Sequence, residues 1–135
     1  MSDVPESPTA PLATKLGVVT GSKVTLLHAP AGFVFDVAPD VKVGRRAKGA
    51  SDVVVAFFTS ARQLEEQVAA MARMVFPAGG LWIAWPKKAS GVATDISDHV
   101  VRDVALPLNL VDNKVCALDE TWTALRLVWR RDARG

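Results

Sequence analysis

Three groups of side chains in this sequence have the types and spacing to meet an anion. Arg45-Arg46 with Lys48, and Lys87-Lys88 with Ser90, are two short basic clusters set in loop-like sequence. Thr59 and Ser60 follow an apolar run, and Ser60 stands three residues before Gln63, the spacing of a helix-capping box. The amino end of a helix offers free backbone N–H groups and a partial positive charge, which favour an anion. His28 stands where an apolar run meets a Pro/Gly loop. An imidazole, with its unperturbed pKa of about 6.5, suits proton transfer or an anion contact there. Each group also has an ordinary structural role. Loop charges keep a surface solvated, and a histidine at the end of a strand can simply satisfy a local hydrogen bond. His99, beside Asp98 in a helical stretch, is expected to face water.

Other chemistry finds less support. Cys116 is the only cysteine, so no intramolecular disulfide can form, and no Cys/His spacing matches a metal site. It falls within a strand pattern, where a thiol packs as a small apolar group. No nucleophile elbow, Walker-type phosphate loop or His-Glu-x-x-His motif occurs. Asp112, Lys114, Asp119, Glu120 and Trp122 gather around an expected hairpin. There they line a site, form an intersubunit patch, or make turn hydrogen bonds and cross-strand pairs. Trp82 and Trp85, three positions apart in one apolar run, must point to opposite faces of a strand. Trp85, at the end of that run, is placed to flank a crevice and stack on a ring.

These side chains need a scaffold, and strand and helix signals alternate along the chain. Residues 23–27 form a short apolar run between Gly21 and Pro30, and 41–43 a brief second one. A short helix is expected between them, over 32–37, stopped by Pro39. Residues 52–58 read as a central parallel strand covered on both faces. The next helix opens at Ser60 and carries Leu64, Val68, Met71 and Val75 as its buried stripe. Pro77-Ala78-Gly79-Gly80 ends it, and 81–85 form the fourth strand. A second clear helix is expected over 95–106, burying Ile96, Val100 and Val104. Two last strands, 112–118 and 124–130, are joined as a hairpin through 119–122. In the last one Leu125, Leu127 and Trp129 share one face, and Arg126 and Arg130 the other.

Alternating strands and helices predict a doubly wound parallel sheet. The 135 residues suffice for one domain, and 50% of them are apolar, enough for one core. The expected division is a disordered tail over 1–13, a single α/β domain over 14–131 and a short tail over 132–135. A net charge of +2 argues against a general nucleic-acid binder. The longest strictly apolar run, 53–58, is far short of the ~20 residues that span a bilayer. The opening Met-Ser-Asp-Val-Pro-Glu has no signal-peptide character. These features predict a cytoplasmic protein without a membrane partner.

Two segments carry a resemblance. Leu16-Gly17-Val18-Val19-Thr20-Gly21-Ser22-Lys23-Val24 resembles the approach to the first strand of class I methyltransferases. Val75-Phe76-Pro77-Ala78-Gly79-Gly80-Leu81-Trp82-Ile83 resembles that family's passage from a helix through a Pro-Gly-Gly turn into a later strand. A mostly parallel sheet ending in an antiparallel hairpin is also its layout, here with one strand–helix unit missing between Gly44 and Asp52. Ala29-Pro30-Ala31-Gly32-Phe33, Leu81-Trp82-Ile83-Ala84-Trp85-Pro86-Lys87-Lys88 and the stretch from Val111 through Trp122 are similar to a family of small bacterial proteins grouped as a domain of unknown function. That resemblance brings no activity with it. Class I methyltransferases place an acidic residue and a Gly-x-Gly-x-Gly turn after the first strand, where backbone approaches the cofactor's amino-acid portion. A further acidic residue after the second strand binds the ribose. This chain has His28-Ala29-Pro30-Ala31-Gly32 and Gly44-Arg45-Arg46 at those places. Pro30 removes an N–H donor and fixes φ.

The expected fold is therefore α/β and Rossmann-like: a mostly parallel six-stranded sheet with a terminal antiparallel hairpin, a trimmed methyltransferase layout, in the order second, first, third, fourth, sixth, fifth. Ligands of such sheets bind outside the carboxyl ends of the strands. His28, Gly32, Arg45, Arg46, Ser60, Trp85, Lys87 and Lys88 are the expected ligand-binding residues, with no catalytic or metal-ligating set. The first functional expectation is a non-catalytic domain that binds an anionic small molecule or a protein partner at that edge, with no cofactor. A divergent transferase using S-adenosylmethionine or another nucleotide is the alternative. Self-association through the hairpin edge is a third reading.

Overall fold

Val53–Phe57 (β3) consists of β-branched, aromatic and small apolar residues, all of them buried. Such a strand is stable only when covered on both faces, and it lies inside the sheet of the computed structural model. The structure describes residues 11–33 and 35–134. Lys23–Leu27 (β1), Lys42–Gly44 (β2) and Gly80–Pro86 (β4) complete a parallel set with β3. Trp122–Trp129 (β6) pairs antiparallel with both β4 and Leu110–Ala117 (β5). The sheet order is β2-β1-β3-β4-β6-β5, the order expected from sequence. A register shift between Asp112 and Lys114 bends the outer strand β5. Residues 45–52 hold no helix, and β2 runs directly to β3, as the missing unit predicts.

Ala61–Met74 (α2, counting Leu12–Lys15 as α1) begins where the capping box placed it. Ser60 Oγ accepts from Gln63 N at 3.3 Å. Leu64, Val68, Met71 and Val75 are all buried against Val54, Ala56, Leu81, Ile83 and Leu125. Asp98–Ala105 (α3) is shorter than the 95–106 expected, because Ser97 caps it through Val100 N. Asp95 is held outside the helix by its own hydrogen bonds, so Ile96 does not set the helical phase. Val101 and Ala105 are the buried positions, while Val100 and Val104 lie at the margin of the core.

Both of these helices lie on one face. The doubly wound scheme keeps its strand order but has little helix on the other side. There the helical turn α1 and the side chains of Ala29, Phe33, Phe35 and Val41 cover Val24, Leu26, Val55, Phe57 and Trp82. The helix expected over 32–37 is not formed at the described positions; Gly32 has φ +83° and residues 35–38 are irregular. Residues 1–10 of the expected tail lie outside the described residues. Leu12–Lys15, at the expected end of that tail, are helical with Ala13 buried. At the other end, Arg131–Ala133 form a 3-10 turn, and Arg134 Nε donates to Trp129 O at 3.0 Å. Among the described residues no helix is long and apolar enough to cross a membrane.

Arg102 ties α3 to the outer strand. Its Nη1 donates to Asp98 Oδ2 at 2.9 Å and its Nε to Asp112 Oδ2 at 3.1 Å. The hydrogen bond from Arg102 holds the Asp98 carboxyl below its ordinary value of 3.8. A carboxyl depressed in the folded state adds stability above its unfolded pKa, and that stability is lost as pH falls through the folded one. Asp98→Asn is therefore expected to flatten the drop in urea midpoint between about pH 5 and pH 2. Equal acid sensitivity in the variant and the parent chain would show that the bridge contributes nothing to it.

Candidate functional site

The carboxyl ends of β1 to β4 and the β5–β6 turn share one edge. β1 ends at Leu27, and His28 then takes φ +60°, a left-handed conformation uncommon for a residue with a side chain. That turn lays the imidazole against Phe58, with ring centroids 5.3 Å apart, and lets Nε2 donate to Gln67 Oε1 at 2.8 Å. His28 is thus tied to α2. Gly32 answers a turn requirement: Phe33 N donates to Pro30 O at 3.1 Å, and Gly32 has the positive φ that a type II turn needs at its third position. Phe33 then packs edge-on to Phe57, and Phe57 to Trp122, with centroids 4.9 and 5.1 Å apart.

The amino end of α2 is already filled. Asp95 Oδ1 accepts from Ala61 N at 2.7 Å, while Asp95 N and Thr94 Oγ1 both donate to Thr59 O. Ser60 Oγ serves the cap. The loop before α3 therefore supplies from within the chain the anion that the sequence reading sought from a ligand. Asp95 and Gln67 are the residues that reading missed. Asp95 sits 34 positions from its partner, and no local pattern links the two.

Trp85 is buried on the helix side of the sheet, in the core beside Phe58, Ile96 and Val101. Trp82 points to the opposite face, as their spacing requires. Trp122, half-buried at the same edge, is the tryptophan that lies nearer the surface. Lys87 braces the hairpin: its Nζ donates to Asp119 O and its backbone N to Thr121 O, each at 2.8 Å. Lys88 is exposed in a 3-10 turn. Arg45 and Arg46 are exposed in the loop after β2, and among the described residues they have no ion-pair partner. The edge thus gathers all eight expected residues. Four of them (His28, Gly32, Ser60 and Trp85) are engaged in the fold, Lys87 is partly so, and Arg45, Arg46 and Lys88 have no ion-pair partner among the described residues.

Several of the groups at this edge are committed within the chain. Pro30 has no N–H to offer, and the remaining glycine serves a turn. The amino end of α2 is occupied by Asp95, and Arg45 and Arg46 follow β2 in an exposed loop. Burial raises the Cys116 thiol above its ordinary pKa, which disfavours the thiolate a nucleophile needs. Among the described residues no group of His, Cys, Asp or Glu is placed to hold a metal ion.

No protein-family model and no curated protein matches this chain. Solved structures do. It is similar to a SAM-dependent methyltransferase from Aquifex aeolicus, with TM-score 0.64, 12% identity and 86% of each chain covered. It is also similar to magnesium protoporphyrin IX methyltransferase from Synechocystis PCC 6803 with bound SAM. There the TM-score is 0.57 and the identity 12%, over 87% of this chain and 74% of that one. A fibrillarin in a complex with Nop5p matches at TM-score 0.50 and 11% identity, over 81% of this chain and 73% of its own. In the SAH-bound form of the Synechocystis enzyme the chain spans about half, 51%, of the length. At these identities the likeness is one of fold: a Rossmann-like sheet of the class I methyltransferase type.

Proposed function

We propose that this methyltransferase-like domain does not transfer methyl groups, and that its carboxyl edge is a basic docking surface for an acidic segment of a protein partner. The observation that carries the reading is the division of labour at that edge. The groups that could cradle a cofactor are engaged within the chain, with Asp95 on Ala61 N and His28 on Gln67. The cations of the adjoining loops, Arg45, Arg46, Lys48 and Lys88, are exposed. Small-molecule sites are concave and bury most of their ligand, whereas these cations stand on open loops. Exposed cations suit the rim of a protein interface, where charge steers association.

Two titrations test the proposal. With S-adenosylhomocysteine in the calorimeter, no saturable binding is expected. A ligand present at 100 times its dissociation constant would raise stability by about 2.7 kcal/mol, so a parallel melting curve would reveal it. Saturable binding would overturn the proposal and restore the transferase. With a polyglutamate peptide as probe, binding is expected at low salt, weakening as salt rises and lost in the Arg45→Ala/Arg46→Ala double variant. Equal binding by that variant would remove this edge as the docking surface.

A further inference from the structure

A second place in the molecule, at the opposite edge of the sheet, carries its own argument. A cavity of about 520 Å³ opens at the amino ends of β1, β3 and β4. Its walls are the loop before β1, residues 50–52, and the Phe76-Pro77-Ala78-Gly79 turn. One side chain reaches it from β6. Arg126 lies opposite Trp82 in the β4–β6 register, and alternation sets it on the same face as Ala124. Its guanidinium runs across Gly80. A Cβ at position 80 would stand against Nε, Cζ and Nη2 of Arg126, so the absence of a side chain there leaves the path open.

Arg126 is half-buried, yet among the described residues its guanidinium has no hydrogen bond and no carboxylate within 4.0 Å. Burial and the nearby Arg134 both disfavour its charge, but a guanidinium stays protonated at any pH the fold survives. Asp52 lines the same cavity, and its Oδ2 accepts from Lys23 N at 2.8 Å. Leaving a partly buried cation unpaired is costly, and a planar guanidinium presents paired donors that match an oxyanion. Ser22 Oγ accepts from Val19 N, which leaves its own proton free to donate. Val75, Phe76 and Pro77 supply an apolar wall. The volume lies within the roughly 300–1,000 Å³ of small-molecule sites.

From this we infer that the amino-edge cavity is a binding site for a small molecule bearing an oxyanion, a phosphate or a carboxylate, with Arg126 as its principal contact. The site lies on the far side of the sheet from the docking surface proposed above and does not depend on it.

The test is a titration of the ¹⁵N-labelled chain, separately with inorganic phosphate and with succinate, followed by amide chemical shifts. Saturable shifts confined to Thr20, Ser22, Asp52, Ala78 and Gly79 are expected with one probe or both, and which probe acts distinguishes phosphate from carboxylate. Arg126→Gln should weaken binding about tenfold or more, the ratio that corresponds to 1.4 kcal/mol, and Arg126→Lys should restore part of it. Asp52→Asn, which removes a repelling charge from the cavity, should tighten binding. That last result is not one a merely structural role for Arg126 would give, and it stands even if Arg126→Gln folds poorly. Absence of shifts with both probes at tens of millimolar would overturn the inference. So would shifts that map to Arg45 and Arg46, or binding unchanged in Arg126→Gln and Asp52→Asn alike.

Discussion

Replacing Trp82 with alanine is expected to lower the unfolding free energy by about 3–5 kcal/mol. For a domain of this size that is a fall in melting temperature on the order of 10–20 °C. Trp82 is 1% exposed, the largest fully buried side chain, and it fills the centre of the thinly covered face between Leu16, Val55 and Ala124. The substitution leaves a cavity at that position. It also removes the Nε1 donor that meets Leu16 O at 3.0 Å, so a buried carbonyl loses its partner. Trp82→Phe separates the two effects. It keeps much of the volume and loses only the donor, and its expected cost is about 1–3 kcal/mol. Urea unfolding of both variants checks the ordering. A Trp82→Ala loss below about 1 kcal/mol would mean that the covering segment does not pin this face as described.

Gly79→Ala should be nearly as damaging, about 2–3 kcal/mol, although it adds a single methyl group. A Cβ at Gly79 would lie 2.7 Å from Asp52 O, 3.0 Å from Ser51 O and 3.0 Å from Val75 Cβ. The first two are backbone atoms of residues held in place by other bonds: Gly80 N donates to Asp52 O at 3.0 Å, and Ser51 N donates to Met74 O at 2.8 Å. Relieving the clash must therefore break the junction where α2 hands the chain to β4. Gly44→Ala is the control, since the nearest atom to its Cβ is Val24 O at 4.0 Å. A change there should stay within about 0.5 kcal/mol. Equal costs at the two positions would refute the steric account. The Pro77-Ala78-Gly79-Gly80 turn thus uses its glycines for two different reasons, close backbone approach at 79 and passage of an arginine at 80.

Much of this fold was legible before any coordinates. The uninterrupted apolar run of β3 could only be an inner strand, the Ser60/Gln63 pair located the start of α2, and parallel strands followed by a hairpin left few orders for the sheet. The failures have separate physical causes. Residues 32–37 have some apolar spacing but nothing to hold a helix against Gly32 and Pro39. The face of α3 was misjudged because Asp95 bonds to Thr59 and Ala61 instead of extending the helix. The same long-range contact decides how the basic edge should be read, and local pattern cannot reveal it. Topology did bring Arg45, Arg46, Lys87 and Lys88 to one side. The position of Arg126 over Gly80 depends on the register of β4 against β6, which no spacing in the sequence encodes.

The unequal cover of the sheet gives the molecule a soft side and a hard side. On one face α2 and α3 lock the strands with continuous helical hydrogen bonding and a large apolar cluster. On the other, and among the described residues, the 29–41 stretch holds its place with a few turn bonds and the half-buried rings of Phe33 and Phe35. Segments with few buried contacts and few backbone bonds open at free energies well below that of global unfolding. Partial opening of this domain therefore begins by peeling that segment away from Phe57 and Trp82, with the helical face still intact. Any partner that binds the loops after β1 and β2 sits on the part of the fold that gives way first, and by binding it stabilises the weakest part of the structure.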